Sequence, residues 1–203
     1  MNLISSIIIL KLANIRTSRI LNFYVGKPKE IIPKICLEND IGYVFWNRRY
    51  EAKKRNIDAE IKALLNTQNI FVKSSNGSTL IEPWKVLGKQ NQRLKVFTPY
   101  KNSLITNHEI TKPLNKPDKI PAYLIDNNIH LEDFNVHYQN WMSKFEKTWC
   151  VGENNALRII DEFVENKIDN YHLNRNLMFL NGTSKLSPHL HYGEISPRHI
   201  WHK

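Results

Sequence analysis

GYVFWNRRYEAKKRNIDAEIKALLNTQNIFVK, residues 42–73, decides the fold. It opens with a short run of β-branched and aromatic residues, Gly42–Trp46, that stops at Asn47. It closes with a second such run, Asn69–Lys73, followed by the turn-forming cluster Ser74–Gly77. Between them, Glu51–Leu65 sets Ala59, Ile61, Ala63, Leu64 and Leu65 among charged residues, the pattern of a long amphipathic helix. Two strands joined through a helix predict a parallel pair, because only a crossover of that length returns the chain in the same direction.

Working toward the N-terminus, Ile20–Val25 (ILNFYV) reads as a further strand ending at Gly26. Lys29–Leu37 carries Ile31, Ile32, Ile35 and Leu37 at near-helical spacing, with Pro33 limiting how early that helix begins. The alternation predicts an α/β layer with a parallel sheet from Ile20 to about Ile105. No GxGxxG or Walker-type loop follows any of these strands, so the sheet carries no nucleotide fingerprint of its own. Met1–Ala13 is largely apolar, with Ile7, Ile8, Ile9 and Leu10 in succession. No basic residue precedes that run, no small-residue cleavage site follows it, and it falls short of the ~20 apolar residues a spanning helix needs. It reads as a buried helix or strand of a cytoplasmic protein without a membrane segment.

Toward the C-terminus, the chain becomes polar and Pro-dotted, with Pro113, Pro117 and Pro121, and we place an interdomain connector over residues 106–135. The organisation expected is an α/β domain over 1–105, the connector, and a helical region over 136–203. In that region Ala156, Ile160, Phe163, Val164, Ile168 and Tyr171 share one helical face, while Arg158, Asp161, Glu162 and Glu165 lie mostly on the other. Ser187–Pro188 and Ser196–Pro197 each place a hydroxyl at N-cap and a proline at N1.

Composition sets wide bounds. The net charge of +10 admits acidic partners such as nucleic acid, but it fits equally an Ile-, Asn- and Lys-rich composition with lysines spread along the chain. Cys36 and Cys150 lie far apart without metal-ligand spacing, which suits a reducing compartment. His189, His191, His199 and His202 cluster near the C-terminus, but no Cys or carboxylate partner falls at ligand spacing, so they read as capping and packing residues. Glu153, ahead of a helix, and Glu194, ahead of a Ser-Pro cap, read as structural, and the five tryptophans as core or domain-contact residues.

One segment carries chemistry. Gly182-Thr-Ser-Lys-Leu-Ser-Pro188 leads into a helix start, where unpaired N–H groups and the helix dipole favour an anion. Thr183, Ser184 and Ser187 add hydroxyls and Lys185 a positive charge, a set suited to phosphate. The plain alternative is that Ser187 caps its own helix and the other hydroxyls face solvent.

TSKLSPHLHYGEISPRHIW resembles the flavin-binding signature of the DNA photolyase and cryptochrome family. In that family a Thr-Ser-Arg-Leu-Ser run holds the FAD diphosphate and a Tyr lies twelve residues before the Thr, the spacing from Tyr171 to Thr183 here. Gly152–Glu153, Ala156, Phe163 and Arg175–Asn176 resemble the lead-in to that signature. Trp46–Asn47–Arg48–Arg49–Tyr50–Glu51 with Asp58, then Asn76–Gly77, Glu82–Pro83–Trp84 and Lys95–Tyr100 resemble the family's first half, in family order. The resemblance covers roughly Ile20 to Lys203.

It implies a Rossmann-like α/β domain of the photolyase N-terminal type, lacking its first strand, followed by the first helices of an α-helical FAD-binding domain. It implies FAD held by Tyr171, Thr183, Ser184, Lys185, Leu186 and Ser187, damaged DNA as partner, and light-driven repair of cyclobutane pyrimidine dimers as the activity. Met1–Arg19 shows no Arg-Asp-Leu-Arg…Asp-Asn segment, and Lys185 replaces the usual Arg, losing the bidentate fork. Lys53 and Lys54 stand where folate-binding members carry Asn and Glu, which weakens the case for an antenna chromophore, folate or deazaflavin. The lesion pocket and electron-transfer tryptophans of the family lie downstream of Lys203, so no catalytic residue is assigned. The expectation is a truncated chain, inactive alone and completed by a separately encoded C-terminal half. A cryptochrome-like blue-light receptor and a non-catalytic basic nucleic-acid-binding protein remain the alternatives.

Overall fold

The computed structural model of the chain describes residues 7–12, 20–115, 141, 143–146 and 148–203. The greater part of the expected connector, residues 116–135, lies outside them. Contacts divide the chain into two compact units, one containing the chain up to Ser75 and the other Asn76–Leu114 together with the C-terminal helices.

In the first unit, strands β1 (Ile7–Leu12) and β2 (Ile20–Val25) pair antiparallel, from Ile7 against Val25 to Leu12 against Ile20. Helix α1 (Pro28–Glu38) leads to β3 (Tyr43–Asn47), then α2 (Ala52–Thr67) and β4 (Phe71–Ser75). β3 and β4 run parallel, Tyr43 opposite Phe71 and Asn47 opposite Ser75, as the strand–helix–strand reading requires. The fold is α/β. β2 departs from the expectation. The expected parallel layer begins at Ile20, but β2 pairs antiparallel with the apolar run Ile7–Leu12, which of the two forms expected for it, helix or strand, takes the strand. A second β-rich run close by in sequence satisfies an edge more directly than a crossover does.

Each element is legible in its residues. Pro28 stands at the start of α1, where its missing N–H costs nothing, while Pro33 sits inside the helix, buried, with the Lys29 carbonyl deprived of its partner. Both α1 and α2 end on a left-handed polar residue, Asp40 at φ 51° and Asn69 at φ 59°. Ile41 N–H then donates back to Cys36 O at 2.9 Å, and Ile70 N–H to Leu65 O at 3.0 Å, closing Schellman turns that aim the chain into the next strand. Ile57, Ile61 and Leu65 recur at four-residue spacing along α2 and pack with Cys36, Ile70 and Val72 into the core, with Val44 and Trp46 of β3 against it. Arg49 grips Asp58 with two nitrogens, and Arg48 donates to Ser74 O at 3.0 Å, so the Trp46–Glu51 segment fastens the ends of β3, α2 and β4.

The second unit holds α3 (Phe97–Asn107), α4 (Ser143–Glu146), α5 (Glu153–Asn166), α6 (Tyr171–Asn174), α7 (Ser187–Tyr192) and α8 (Pro197–Trp201). Its core is Ala156 and Ile160 of α5 with Leu186 and Ile195, flanked by Phe163, Val164, Leu190 and Ile200. The apolar face predicted to continue through Ile168 and Tyr171 stops at Asn166, because the chain turns at Lys167; Ile168 and Tyr171 are exposed. Ser196 caps α8 as expected, accepting from Arg198 N–H at 3.2 Å. Ser187 does not cap α7. The N-cap is Leu186, Ser187 is already helical, and its side chain makes no capping bond.

Candidate functional site

The segment Asn181–Leu186 is shaped by what anchors its two ends. Gly182 is pressed against α6; a Cβ there would lie 2.6 Å from both the Cβ and the carbonyl oxygen of Asn174, so no other residue fits without moving backbone. Leu186 is buried between Ala156 and Ile160 of α5 and Ile195. The three residues between these anchors therefore lie along α5. Lys185 takes a left-handed backbone at φ 54°, at a cost of roughly 1–2 kcal/mol for a residue with a Cβ, which the fixed ends must supply.

Thr183, Ser184 and Lys185 line one cavity of about 170 Å³ together with Arg158 and Glu162 of α5 and Lys167 just beyond it. Trp149, Cys150 and Phe163 form apolar wall. Glu162 accepts from Lys167 Nζ at 2.7 Å and faces Arg158 Nη1 at 3.7 Å. The Lys167 hydrogen bond, its charge and then Arg158 hold the Glu162 carboxyl below the usual carboxylate range. Three cations and one carboxylate thus line the cavity, and of the cations Arg158 and Lys167 pair with the carboxylate. The arrangement suits an anion with several oxygens. A cavity of this size is below the roughly 300–1,000 Å³ of a site that encloses a whole drug-sized ligand, so it fits the charged part of one.

Of the six residues expected to hold a cofactor, the structure brings Thr183, Ser184 and Lys185 together and separates the others. Tyr171 opens α6 and stands off the cavity, its ring edge-on to Phe163 at 5.6 Å and beneath Arg175 at 5.7 Å. Leu186 is a core residue. Ser187 is exposed in the first turn of α7, a helix of six residues. Arg158 and Lys167 were missed. The helical pattern placed Arg158 on the outer face, and only the return of Asn181–Leu186 across α5 turns that face into a wall.

Two of the four C-terminal histidines have polar partners. His189 is buried with Nδ1 2.5 Å from Glu194 Oε2, and His202 Nε2 lies 2.7 Å from Ile110 O. Among the described residues, no group of His, Cys, Asp or Glu is arranged to hold a metal, and no helix is long and apolar enough to cross a membrane. Lys54 pairs with Glu51 at 2.7 Å. A larger cavity of about 580 Å³ beside α3, lined by Gln92, Asn102 and Ser103 among others, contains none of the expected site residues.

The DNA photolyase family profile matches residues 13–137. The chain is 29% identical over 180 residues to the deoxyribodipyrimidine photo-lyase of Agrobacterium fabrum, covering 87% of this chain and 38% of that protein. It is 28% identical over 164 residues to cryptochrome-1 of Arabidopsis thaliana, covering 78% of this chain and 24% of that one. Its structure is similar to the crystal structure of a bacterial class III photolyase from Agrobacterium tumefaciens, with a TM-score of 0.81 and 29% identity over 87% of this chain and 37% of the other. The chain thus spans well under half the length of the relatives it matches.

Proposed function

Because the chain belongs to the DNA photolyase family, we propose that it serves a deoxyribodipyrimidine photolyase, an FAD-dependent enzyme that uses light to split cyclobutane pyrimidine dimers in damaged DNA. In this reading residues 1–105 are the α/β domain, 106–135 the connector and 136–203 the start of the flavin domain, acting in the reducing cytoplasm that suits the free thiols of Cys36 and Cys150. The remainder of the flavin domain, on this chain or on a separate one, completes the site.

The observation that carries the reading is the convergence of Thr183, Ser184 and Lys185 on one cation-lined cavity. The residues fit a diphosphate. The two hydroxyls donate, Lys185 neutralises, and Arg158 and Lys167 add charge from the opposite wall. Bound FAD supplies absorption of light and an electron for the dimer; the protein's residues supply binding and orientation. What this chain does is hold the anion, with Leu186 and Gly182 keeping the segment in place.

The test is FAD retention by the chain mixed with the C-terminal portion of the Agrobacterium photolyase. Retention is expected, and Lys185→Glu is expected to reduce it by at least tenfold, because a carboxylate then faces the diphosphate. Equal retention with Glu at 185 would remove the phosphate role. A cryptochrome-like receptor is the second reading, favoured by the nearly equal identity to the Arabidopsis protein; dimer repair under light by the complemented protein separates the two.

A further inference from the structure

Lys185 reaches the cavity from a strained backbone, and strain of that kind persists only where the surroundings over-determine it. The anchor on the C-terminal side is Leu186, which leads directly into α7. A helix of six residues does not hold itself, because one and a half turns recover too few hydrogen bonds. What closes α7 is His189. Its Nδ1 lies 2.5 Å from Glu194 Oε2, and the Glu194 N–H donates back to His189 O at 2.8 Å. These two bonds run in opposite senses around Gly193, whose left-handed φ of 72° makes the turn. The next residue, Ile195, packs on Leu186 in the core. Leu186, α7, the His189–Glu194 pair and Ile195 therefore form a closed ring of contacts that begins and ends beside Lys185.

The pair is not incidental packing. His189 is 3% exposed, and its Nε2 is buried without a hydrogen-bond partner, so Glu194 is the polar anchor of the whole ring. A carboxylate facing Nδ1 puts the proton on that nitrogen and fixes the orientation of the imidazole. Burying such a group is unfavourable unless it is fully paired, and an apolar side chain would fill the same space without a partner. A polar pair in this place sets geometry.

We infer that His189 and Glu194 are positioning residues for the anion cavity, holding Lys185 in the left-handed conformation in which it lines that cavity with Thr183 and Ser184. The inference rests on the reading of that cavity as the flavin diphosphate site. Neither residue lines the cavity; they act through the backbone of Leu186 and Lys185.

The experiment measures binding of FAD and of inorganic pyrophosphate to the full chain by titration calorimetry, with melting temperature recorded for every variant. His189→Leu is expected to weaken pyrophosphate binding on the order of tenfold, the effect of leaving Glu194 unpaired and the ring unlocked. His189→Asn, which presents an N–H donor near the place of Nδ1, is expected to recover most of it. The effect of His189→Leu is expected to vanish in a Lys185→Ala background, because a residue acting through Lys185 is not additive with its removal. Additive losses, or unchanged binding by folded His189→Leu protein, overturn the inference. Where His189→Leu does not fold, Glu194→Met, close in length but without an acceptor for Nδ1–H, decides: weakened binding by folded protein supports the role and unchanged binding overturns it. If the unmodified chain binds neither probe, alone or completed by the C-terminal portion, the diphosphate reading itself fails, an outcome distinct from any result of the His189 series.

Discussion

The two units of the chain build their cores from different kinds of residue. In the first, Cys36, Ile61, Leu65 and Val72 belong to helices or a strand, and Ile70 alone sits in the turn between α2 and β4. In the second, α5 contributes Ala156 and Ile160, but Leu186 and Ile195 come from the segments on either side of α7. A core side chain on a helix is placed by the period of the helix. One on a connecting segment is placed only by its neighbours, and in exchange it fixes that segment. The second core is thus continuous with the candidate site, since Leu186 follows Lys185 directly, whereas no residue of the first core lines the cavity.

That contrast is broken or sharpened first by deleting one buried side chain from each core. Leu65 is fully buried and Leu186 nearly so. Leu65→Ala and Leu186→Ala are each expected to cost about 2–5 kcal/mol of stability in their own unit. Hydrogen exchange separates the two, since each variant accelerates exchange in the unit that carries it. Only Leu186→Ala is expected to weaken pyrophosphate binding as well. If Leu65→Ala weakens binding equally while the second unit keeps its protection, the distinction drawn between the cores is wrong.

The same contrast explains what could be read from the residues. The period of Ile57, Ile61 and Leu65 is carried by the chain itself, so α2 and its parallel flanking strands were visible in residues 42–73. The pairing of β2 was not, because Ile20–Val25 has equal capacity for a parallel or an antiparallel neighbour and the partner is chosen by chain proximity. At the candidate site, Thr183, Ser184 and Lys185 were legible from residue type and from family resemblance. Arg158 and Lys167 were not, because their role depends on the return of a distant loop over α5. Ser187 was assigned one position too early in its helix: a Ser-Pro pair marks a start, but the buried Leu186 already occupies the cap.

A smaller effect probes how the first unit achieves its local definition. Asn69 ends α2 in the left-handed region and its N–H donates to Asn66 O at 3.2 Å. Asn69→Gly is expected to be neutral or slightly stabilising, because glycine adopts this conformation without steric cost. Asn69→Ala is expected to cost about 1 kcal/mol, the strain of a Cβ in that region without the compensation an Asn side chain offers. Chemical denaturation of the two variants side by side measures the difference. An Asn69→Ala protein as stable as its Gly counterpart would mean that the turn is set by the packing of Ile70 rather than by the backbone of residue 69.

The smallest expected effect lies at the cavity and depends on pH. Lys167 and Arg158 stabilise the charged form of Glu162, so its folded carboxyl titrates below the ordinary value of 4.5. A carboxyl with a depressed folded value contributes stability that is fully present above the unfolded value and is lost as pH falls through the folded one. The contribution of Glu162 is therefore constant near neutrality and disappears in the acid range below 4.5. Glu162 is well exposed, so the pair is screened, and raising salt is expected to move the titration back toward the ordinary value. A carboxyl-carbon NMR titration of the chain reads this directly, with Lys167→Met as control. Because Lys167 is the larger cause, that variant is expected to restore most of the shift, and Arg158→Met less of it. Glu162 also competes with any bound anion for the same two cations. Glu162→Gln is expected to raise pyrophosphate affinity by roughly two- to fivefold at low salt, the range of a weak exposed ion pair. A Glu162→Gln chain that binds pyrophosphate less well would show that the carboxylate orients Arg158 and Lys167 for the anion instead of occupying them.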